Sequence, residues 1–325
     1  MSKLIYMVGL PGSGKSTKAK EIAEEEDAII LSSDQLRIEM FGDVNEHSKN
    51  KELFEKLYNR AENNLSNNKN VIIDATNINY RRRKHILQHR LKKYYDKAIC
   101  YYMNISMSTI KERNFNRKRN VPEKVIKKMC KRLYIPIYSE GWDEINFITD
   151  LKEFKQVERK KFKAIVGAVK NENIFPILGT LFNDVFHSIY KMPQDTSYHS
   201  LSVSRHILYT MKYIKKLNSI SDENKFLLLV AALFHDLGKG QTKKYKGKYA
   251  SYIGHENVSA QIAALGLIQL GFDKEFIMKV IKLVQYHMRL YNAESKKSIN
   301  KIIDIIGKDD FELLKILHDA DKSAK

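Results

Sequence analysis

The chain is 325 residues long, 43% hydrophobic and 29% charged, a soluble globular composition with length enough for two domains. Its longest apolar run, Phe226 to Phe234, is too short for a helical membrane span, and two cysteines, Cys100 and Cys130, exclude a disulfide framework and fit a reducing, cytoplasmic setting. Lys and Arg total 57 against 38 Asp and Glu, a formal +19 shared by both halves, which suits a polyanionic partner such as RNA or DNA and equally a lysine-rich composition.

The opening MSKLIYMVGL runs directly into a glycine-rich loop, so no signal peptide is expected. Short apolar runs at Lys3–Val8, Ala28–Leu31, Val71–Asp74, Ala98–Met103 and Ile145–Thr149 read as strands. Between them, Lys15–Glu26, Lys49–Leu65, Tyr80–Lys93, Ser108–Asn116 and Pro122–Leu133 read as helices. That alternation predicts an α/β unit with a parallel sheet covered on both faces. From about Leu151 the pattern becomes helical, over Phe154–Val169, Ile177–Tyr190, Ser202–Lys216, Asp222–Asp236, Asn257–Leu270, Lys274–Tyr286, Ser298–Ile306 and Phe311–Ala320, with one hairpin candidate at Tyr245–Tyr252. The charged stretch 151–163 reads as a connector, either a solvated helix or a linker.

Two constellations carry chemistry. Gly9 to Thr17 (GLPGSGKST) follows the first strand and opens the first helix, the setting that a phosphate-cradling G-x-x-x-x-G-K-S loop requires. Backbone N–H groups around Gly12, Ser13 and Gly14 surround phosphates, Lys15 offsets their charge, and Ser16 offers a hydroxyl to Mg²⁺, with Thr17 completing the loop. Asp34, after Ser32-Ser33, falls at the carboxyl edge of the second strand, where it accepts an acceptor hydroxyl's proton or merely caps the next helix. Asp74, Thr76 and Asn77 end the third strand, as ion or acceptor contacts or as turn chemistry. Arg113 and Arg117 share a helix face at i, i+4, as a lid clamping phosphates would, or as a solvated basic helix.

These motifs, with VIIDATNINYRRR, KERNFNRKRNVP and EGWDEI, resemble the P-loop polynucleotide kinase family over residues 4–145, in particular the kinase half of bacteriophage 5′-polynucleotide kinase-phosphatases. The resemblance implies that Asp34 activates the acceptor, Arg37 contacts substrate phosphate, Arg117 and Arg113 contact the donor, and ATP or another NTP with Mg²⁺ is the cofactor.

The second constellation is His206, His235-Asp236, His255, His287 and the terminal pair Asp319 and Asp321, on separate helices and turns. Imidazoles mixed with carboxylates suit Mn²⁺, Co²⁺, Ni²⁺ or Zn²⁺, and the natural reaction is phosphoester hydrolysis. Lys239 and Arg289 are candidates for the substrate phosphate; Lys239 equally complements a helix C-terminus. LFHDLGKG and YIGHENVSAQIA are similar to HD-domain phosphohydrolases, especially the HD domain attached to some CCA-adding tRNA nucleotidyltransferases, over about residues 200–322. That similarity implies one metal held by His206, His235, Asp236 and Asp321, in preference to Asp319, and a second near His255 and His287.

The sequence therefore predicts an α/β P-loop kinase domain with a parallel sheet over residues 1–153, followed by an all-α HD domain over 154–325. The combination is similar to HD-domain and polynucleotide kinase end-healing enzymes. It implies RNA or DNA termini as substrates, a functional link to a polynucleotide ligase, and no membrane. A small-molecule or nucleotide kinase fused to a nucleotide phosphohydrolase, and a nucleotide-dependent RNA-binding or sensor protein, are the competing expectations.

Overall fold

The apolar runs of the first half pair side by side because each is flanked by amphipathic helices that cover both sheet faces. The computed structural model describes residues 2–117, 119–154, 156–182, 185–197 and 200–324, and divides into two compact units, Met1–Asp150 and Leu151–Lys325. The first runs β1 (Lys3–Val8), α1 (Lys15–Glu26), β2 (Ala28–Ser32), α2 (Ser33–Phe41), α3 (Asn50–Ser66), β3 (Asn70–Asp74), α4 (Tyr80–His85), β4 (Lys97–Met103), α5 (Met107–Phe115), α6 (Glu123–Cys130) and β5 (Glu144–Ile148). Its five strands form one parallel sheet in the order β2-β3-β1-β4-β5. Central β1 sets Leu4 opposite Val71 on one side and Tyr6 opposite Cys100 on the other. The chain order reverses at β1, so the crevice outside its carboxyl end is where such a sheet binds ligands. Both cysteines are buried.

A buried ion pair braces the loop beyond β3. The Arg83 guanidinium donates to both Glu140 carboxylate oxygens, at 2.6 and 2.7 Å, and its third arm donates to the Asn77 carbonyl at 2.8 Å. Glu140 also accepts from Trp142 Nε1 at 3.2 Å and from the Ile137 N–H at 3.2 Å. The EGWDEI segment thus ties the end of the chain's first unit to the loop beside the phosphate cradle.

The second unit runs α7 (Gln156–Gly167), α8 (Ile174–Gly179), α9 (Val203–Lys215), α10 (Asp222–Phe234), α11 (Lys239–Thr242), the ribbon β6 (Lys244–Lys246) and β7 (Tyr249–Ser251), α12 (His255–Gln269), α13 (Lys274–Tyr286), α14 (Lys296–Ile306) and α15 (Lys308–Ser323). Among the described residues no helix is long and apolar enough to cross a membrane. The stretch 151–163 is not a linker. Its Phe162 is fully buried against the rings of Phe182, Phe234 and Phe272, which makes α7 part of the unit's core. The helix expected over 177–190 is also absent as such: α8 stops at Gly179, and residues 183–184 of that span lie outside the described residues. A Cβ at Gly179 would sit 2.5 Å from the His187 ring, so the chain turns there to pack the imidazole on bare backbone.

Candidate functional site

In the first unit the loop after β1 takes its shape from two left-handed glycines, Gly12 (φ 82°) and Gly14 (φ 87°), a conformation that costs other residues about 1 kcal/mol or more. Gly14 also lacks a side chain where Arg113 Nη1 approaches to 3.2 Å of a would-be Cβ. Lys15 Nζ folds back to donate to the Leu10 carbonyl at 2.8 Å, and Ser16 Oγ donates to Asp74 Oδ2 at 2.7 Å. Burial pushes the Lys15 ammonium down to about 8, with Arg117 adding to the effect and Asp74 opposing it. The Ser13 hydroxyl is buried and has no hydrogen-bond partner among the described residues. A buried lysine, a buried hydroxyl and two left-handed glycines together fit a triphosphate, while Ser16 with Asp74 fits its Mg²⁺.

Asp34 does not cap α2. That is done by Ser32, whose Oγ accepts from the Gln35 N–H at 3.4 Å, leaving the Asp34 carboxylate half exposed over the same cavity as Gly12 to Thr17. Arg37 lines the same cavity, and four of its five N–H groups reach Glu46 O (2.9 Å), Asn50 Oδ1 (2.8 Å), Ser33 O (3.5 Å) and Asp34 Oδ1 (3.1 Å). It holds Asp34 from within the protein. Asn77 proves to be turn chemistry, at φ 47° with its amide donating to Met7 O at 2.8 Å.

The lid arginines do not share a helix face. Helix α5 ends at Phe115, so Arg117 lies beyond the C-cap Asn116, in a turn. Asn114 closes that turn by exchanging hydrogen bonds with Val121, donating to its carbonyl at 2.9 Å and accepting from its N–H at 3.0 Å. Lys118 lies outside the described residues. Arg113, Arg117 and Arg119 all line the cavity, of about 1090 Å³, and Arg119 Nη1 comes within 3.6 Å of Asp34 Oδ2. His47, Phe54, Arg82 and Arg132 also line the cavity, with Arg82 stacked over the Phe54 ring at 4.6 Å. Asn114, which shapes this turn, carried no signal in the sequence, whereas Asp74 stood at a strand's carboxyl end and Arg119 in the basic run that follows Arg113.

In the second unit five separate helix ends deliver the histidines and aspartates to one buried point. Asp236 sits between two groups that could each hold a metal ion, one with His206 and His235, the other with His255 and His287. Its Oδ2 lies 3.4 Å from both His206 Nε2 and His235 Nε2, while Oδ1 lies 3.2 Å from His255 Nε2 and 4.0 Å from His287 Nε2. Asp321 Oδ1 approaches His206 Nε2 at 2.9 Å and its Oδ2 accepts from Tyr291 OH at 3.0 Å, whereas Asp319 faces solvent. Lys239 is buried, 2.6 Å from Asp236 Oδ2, and donates to Gln194 Oε1 at 2.8 Å. Gln194 and Tyr291 carried no signal in the sequence.

Second-sphere carbonyls fix the imidazole tautomers. Nδ1 of His206, His235, His255 and His287 lies 2.5, 2.7, 2.9 and 2.7 Å from the carbonyls of Ala324, Ala232, Tyr252 and Val284. A carbonyl only accepts, so each Nδ1 carries the proton and Nε2 of a neutral ring presents a lone pair. Nε2 atoms then face one another at 3.4 Å (His206–His235) and 3.2 Å (His255–His287), an arrangement that repels unless a cation intervenes. Burial, His255 and His235 push His287 down to about 3, keeping it neutral. Against its own burial, Asp236 is held well below the usual carboxylate range by Lys239, His235 and His255. Burial lowers the His235 imidazole, but Asp236 and Asp321 outweigh it and hold the group above its ordinary value. Imidazole nitrogens beside two carboxylates fit divalent transition metals, which these side chains would hold.

Residues 4–136 match the AAA domain family and residues 198–324 the HD domain family. Over 160 residues the chain is 30% identical to the L-seryl-tRNA(Sec) kinase of Methanococcus maripaludis, 46% of this chain and 60% of that protein. Over 69 residues it is 39% identical to the CC-adding tRNA nucleotidyltransferase of Thermus thermophilus, 21% of this chain and 16% of that protein. It thus spans less than two thirds of either curated relative's length. Among solved structures, the Pnkp1/Rnl/Hen1 RNA repair complex aligns at 26% identity over 39% of this chain and 42% of that one, with a TM-score of 0.34. The first unit therefore carries the match to the AAA domain family and the second the match to the HD domain family.

Proposed function

We propose that the chain is a bifunctional nucleic-acid end-healing enzyme. Its first unit phosphorylates a 5′-OH terminus from ATP or another NTP, and its second removes a 3′-phosphate or opens and removes a 2′,3′-cyclic phosphate. The observation that carries this reading is Asp34: a carboxylate freed from capping, braced by buried Arg37, and lining one cavity together with the phosphate loop and with basic and aromatic side chains.

In the transfer, the 5′ hydroxyl gives its proton to Asp34 as its oxygen bonds to the γ-phosphorus, and the bond to the bridging oxygen of the nucleoside diphosphate breaks. Lys15, Arg113 and Arg117 offset the charge on the moving phosphoryl group. Mg²⁺, held through Ser16 and Asp74, supplies further charge neutralisation when bound. In the second unit His206, His235, Asp236 and Asp321 would hold one ion and Asp236, His255 and His287 another. Bound ions there acidify water and polarise a phosphoryl oxygen. Lys239, 2.6 Å from Asp236, keeps that carboxylate ionised and oriented rather than reaching out to a substrate. The two activities generate the 5′-phosphate and 3′-hydroxyl that a polynucleotide ligase joins.

The test is a panel of acceptors: a 5′-OH oligonucleotide, free nucleosides, small sugars and aminoacyl-tRNA, with labelled ATP and GTP. Transfer to the oligonucleotide, lost in Lys15→Ala and Asp34→Ala, is expected. Transfer confined to free nucleosides, sugars or aminoacyl-tRNA refutes the reading.

A further inference from the structure

Between Asp236 and Glu256 the chain carries five lysines and no acidic residue. Two of the five are spent inside the fold. Lys239 is bound to Asp236 and Gln194, and Lys243 donates to Asp195 Oδ2 at 2.7 Å and to Pro193 O at 2.6 Å. The other three, Lys244, Lys246 and Lys248, lie on the β6–β7 ribbon, are exposed, and among the described residues have no carboxylate within ion-pair reach. The register places Lys244 opposite Ser251 and Lys246 opposite Tyr249 on one face, with Tyr245 and buried Ala250 on the other. That other face is pinned: the Ala250 N–H donates to Asp195 O and Tyr245 OH to Asp195 Oδ2, both at 2.7 Å. An isolated two-stranded ribbon is marginal, so these anchors are what hold its outer face in one orientation.

The ribbon is joined directly to the histidine cluster. Tyr252, the residue after β7, gives its carbonyl to His255 Nδ1 at 2.9 Å and its hydroxyl to Gln194 O at 2.6 Å. Ser251 and His255 are four residues apart, so the outer face begins at most about 14 Å along the chain from a candidate metal ligand. That distance suits the nucleotides next to a terminus. We infer that the outer face of the ribbon is a single-strand nucleic-acid platform, on which Lys244, Lys246 and Lys248 take backbone phosphates and Tyr249 stacks on an unpaired base while the 3′ end lies in the histidine cluster. Tyr249 leaves 45% of its surface exposed, and Lys248 lies over its ring at 5.0 Å, a cation positioned beside a stacking surface. The inference rests on the end-healing reading for what the cluster does, but not for what the ribbon binds.

The test uses the full chain, a short single-stranded uridine RNA already phosphorylated at its 5′ end, a 2′,3′-cyclic mononucleotide, a duplex of equal length and anionic vesicles. Replacing Lys244, Lys246 and Lys248 together by Gln should raise KM for the 3′-blocked RNA by tenfold or more with kcat unchanged, spare the mononucleotide, and lower the salt slope of RNA binding by about 2. Tyr249→Leu should weaken single-strand binding by roughly tenfold and duplex binding little. RNA carrying 4-thiouridine should crosslink to the peptide containing Tyr249. Unchanged KM and affinity in both variants, crosslinks confined to other peptides, or vesicle binding that matches RNA binding overturns the platform. A wild-type chain that binds and crosslinks but hydrolyses no RNA end refutes the end-healing reading instead, while full hydrolysis with variant KM unchanged refutes only the platform.

Discussion

Replacing Gly238 by Ala tests whether the histidine centre depends on one close approach of helices. A methyl group there would lie 2.3 Å from the His255 carbonyl oxygen and 2.8 Å from the Ser259 nitrogen, both backbone atoms that cannot swing aside. Ordinary contact is about 3.5 Å, so the start of α12 must retreat by about 1 Å. Overpacking of this kind costs about 1–3 kcal/mol, and backbone on both contacts places the change near the upper end. The same retreat carries His255 Nε2 away from Asp236 Oδ1, now 3.2 Å away, and loosens the bond from the Gly238 N–H to Ser259 Oγ at 2.9 Å. A displaced ligand loses roughly 10- to 100-fold in metal affinity. The assay is urea unfolding by circular dichroism together with Mn²⁺ titration by calorimetry. The chain has a single tryptophan, Trp142 in the first unit, so its fluorescence monitors that unit separately. A lower midpoint for the second unit, weakened Mn²⁺ binding and an unmoved Trp142 transition are expected. Wild-type stability and Mn²⁺ affinity in Gly238→Ala would refute the reasoning.

Asp34→Asn should lower kcat for 5′ transfer by about 10²- to 10⁴-fold while leaving KM for ATP nearly unchanged, as steady-state kinetics will show; a change in KM alone would place Asp34 in donor binding. Free Lys15 titrates near 8, and triphosphate raises it, so at pH 8.5 ATP binding should take up about 0.7 proton and at pH 7 about 0.1. Calorimetry in buffers of different ionisation enthalpy measures this, and proton release at pH 8.5 would contradict it. Glu140→Gln leaves Arg83 charged and buried with a weakened partner, and should cost the first unit about 3–5 kcal/mol by Trp142 fluorescence; a loss below about 1 kcal/mol would show the pair to be dispensable.

Much of the fold was legible because both periodicities are strong. The β1 and β3 runs are buried on both sheet faces and lack alternation, which marks parallel strands. The glycine loop, Asp34, the histidines and Asp236 could be picked out as candidates in the sequence, and the fold brings the first two to one cavity and the others to one buried cluster. Tertiary relations were not readable. Nothing local shows that Phe162 in LKEFKQVERKKFK fills a phenylalanine cluster around Phe234, so its charged neighbours dominated the pattern. Nor does an i, i+4 count reveal that Asn114 ends α5 by clamping Val121, which moves Arg117 off the helix. The resemblance implied a role for Arg37 but not its bracing of Asp34; its partners, Glu46 O and Asn50 Oδ1, come from a turn and a helix start that the sequence does not place beside it. The same holds for Gln194, which meets Lys239 only through long-range folding.

The most direct measurement incubates an RNA bearing 5′-OH and 2′,3′-cyclic phosphate ends with wild type, Lys15→Ala and Asp236→Asn in ATP, Mg²⁺ and a screen of transition metals, reading each terminus separately. Wild type should convert both ends, Lys15→Ala only the 3′ end, and Asp236→Asn only the 5′ end. Failure of wild type at either terminus with every metal, or loss of both activities in a folded single variant, would contradict two self-contained centres acting on one polynucleotide.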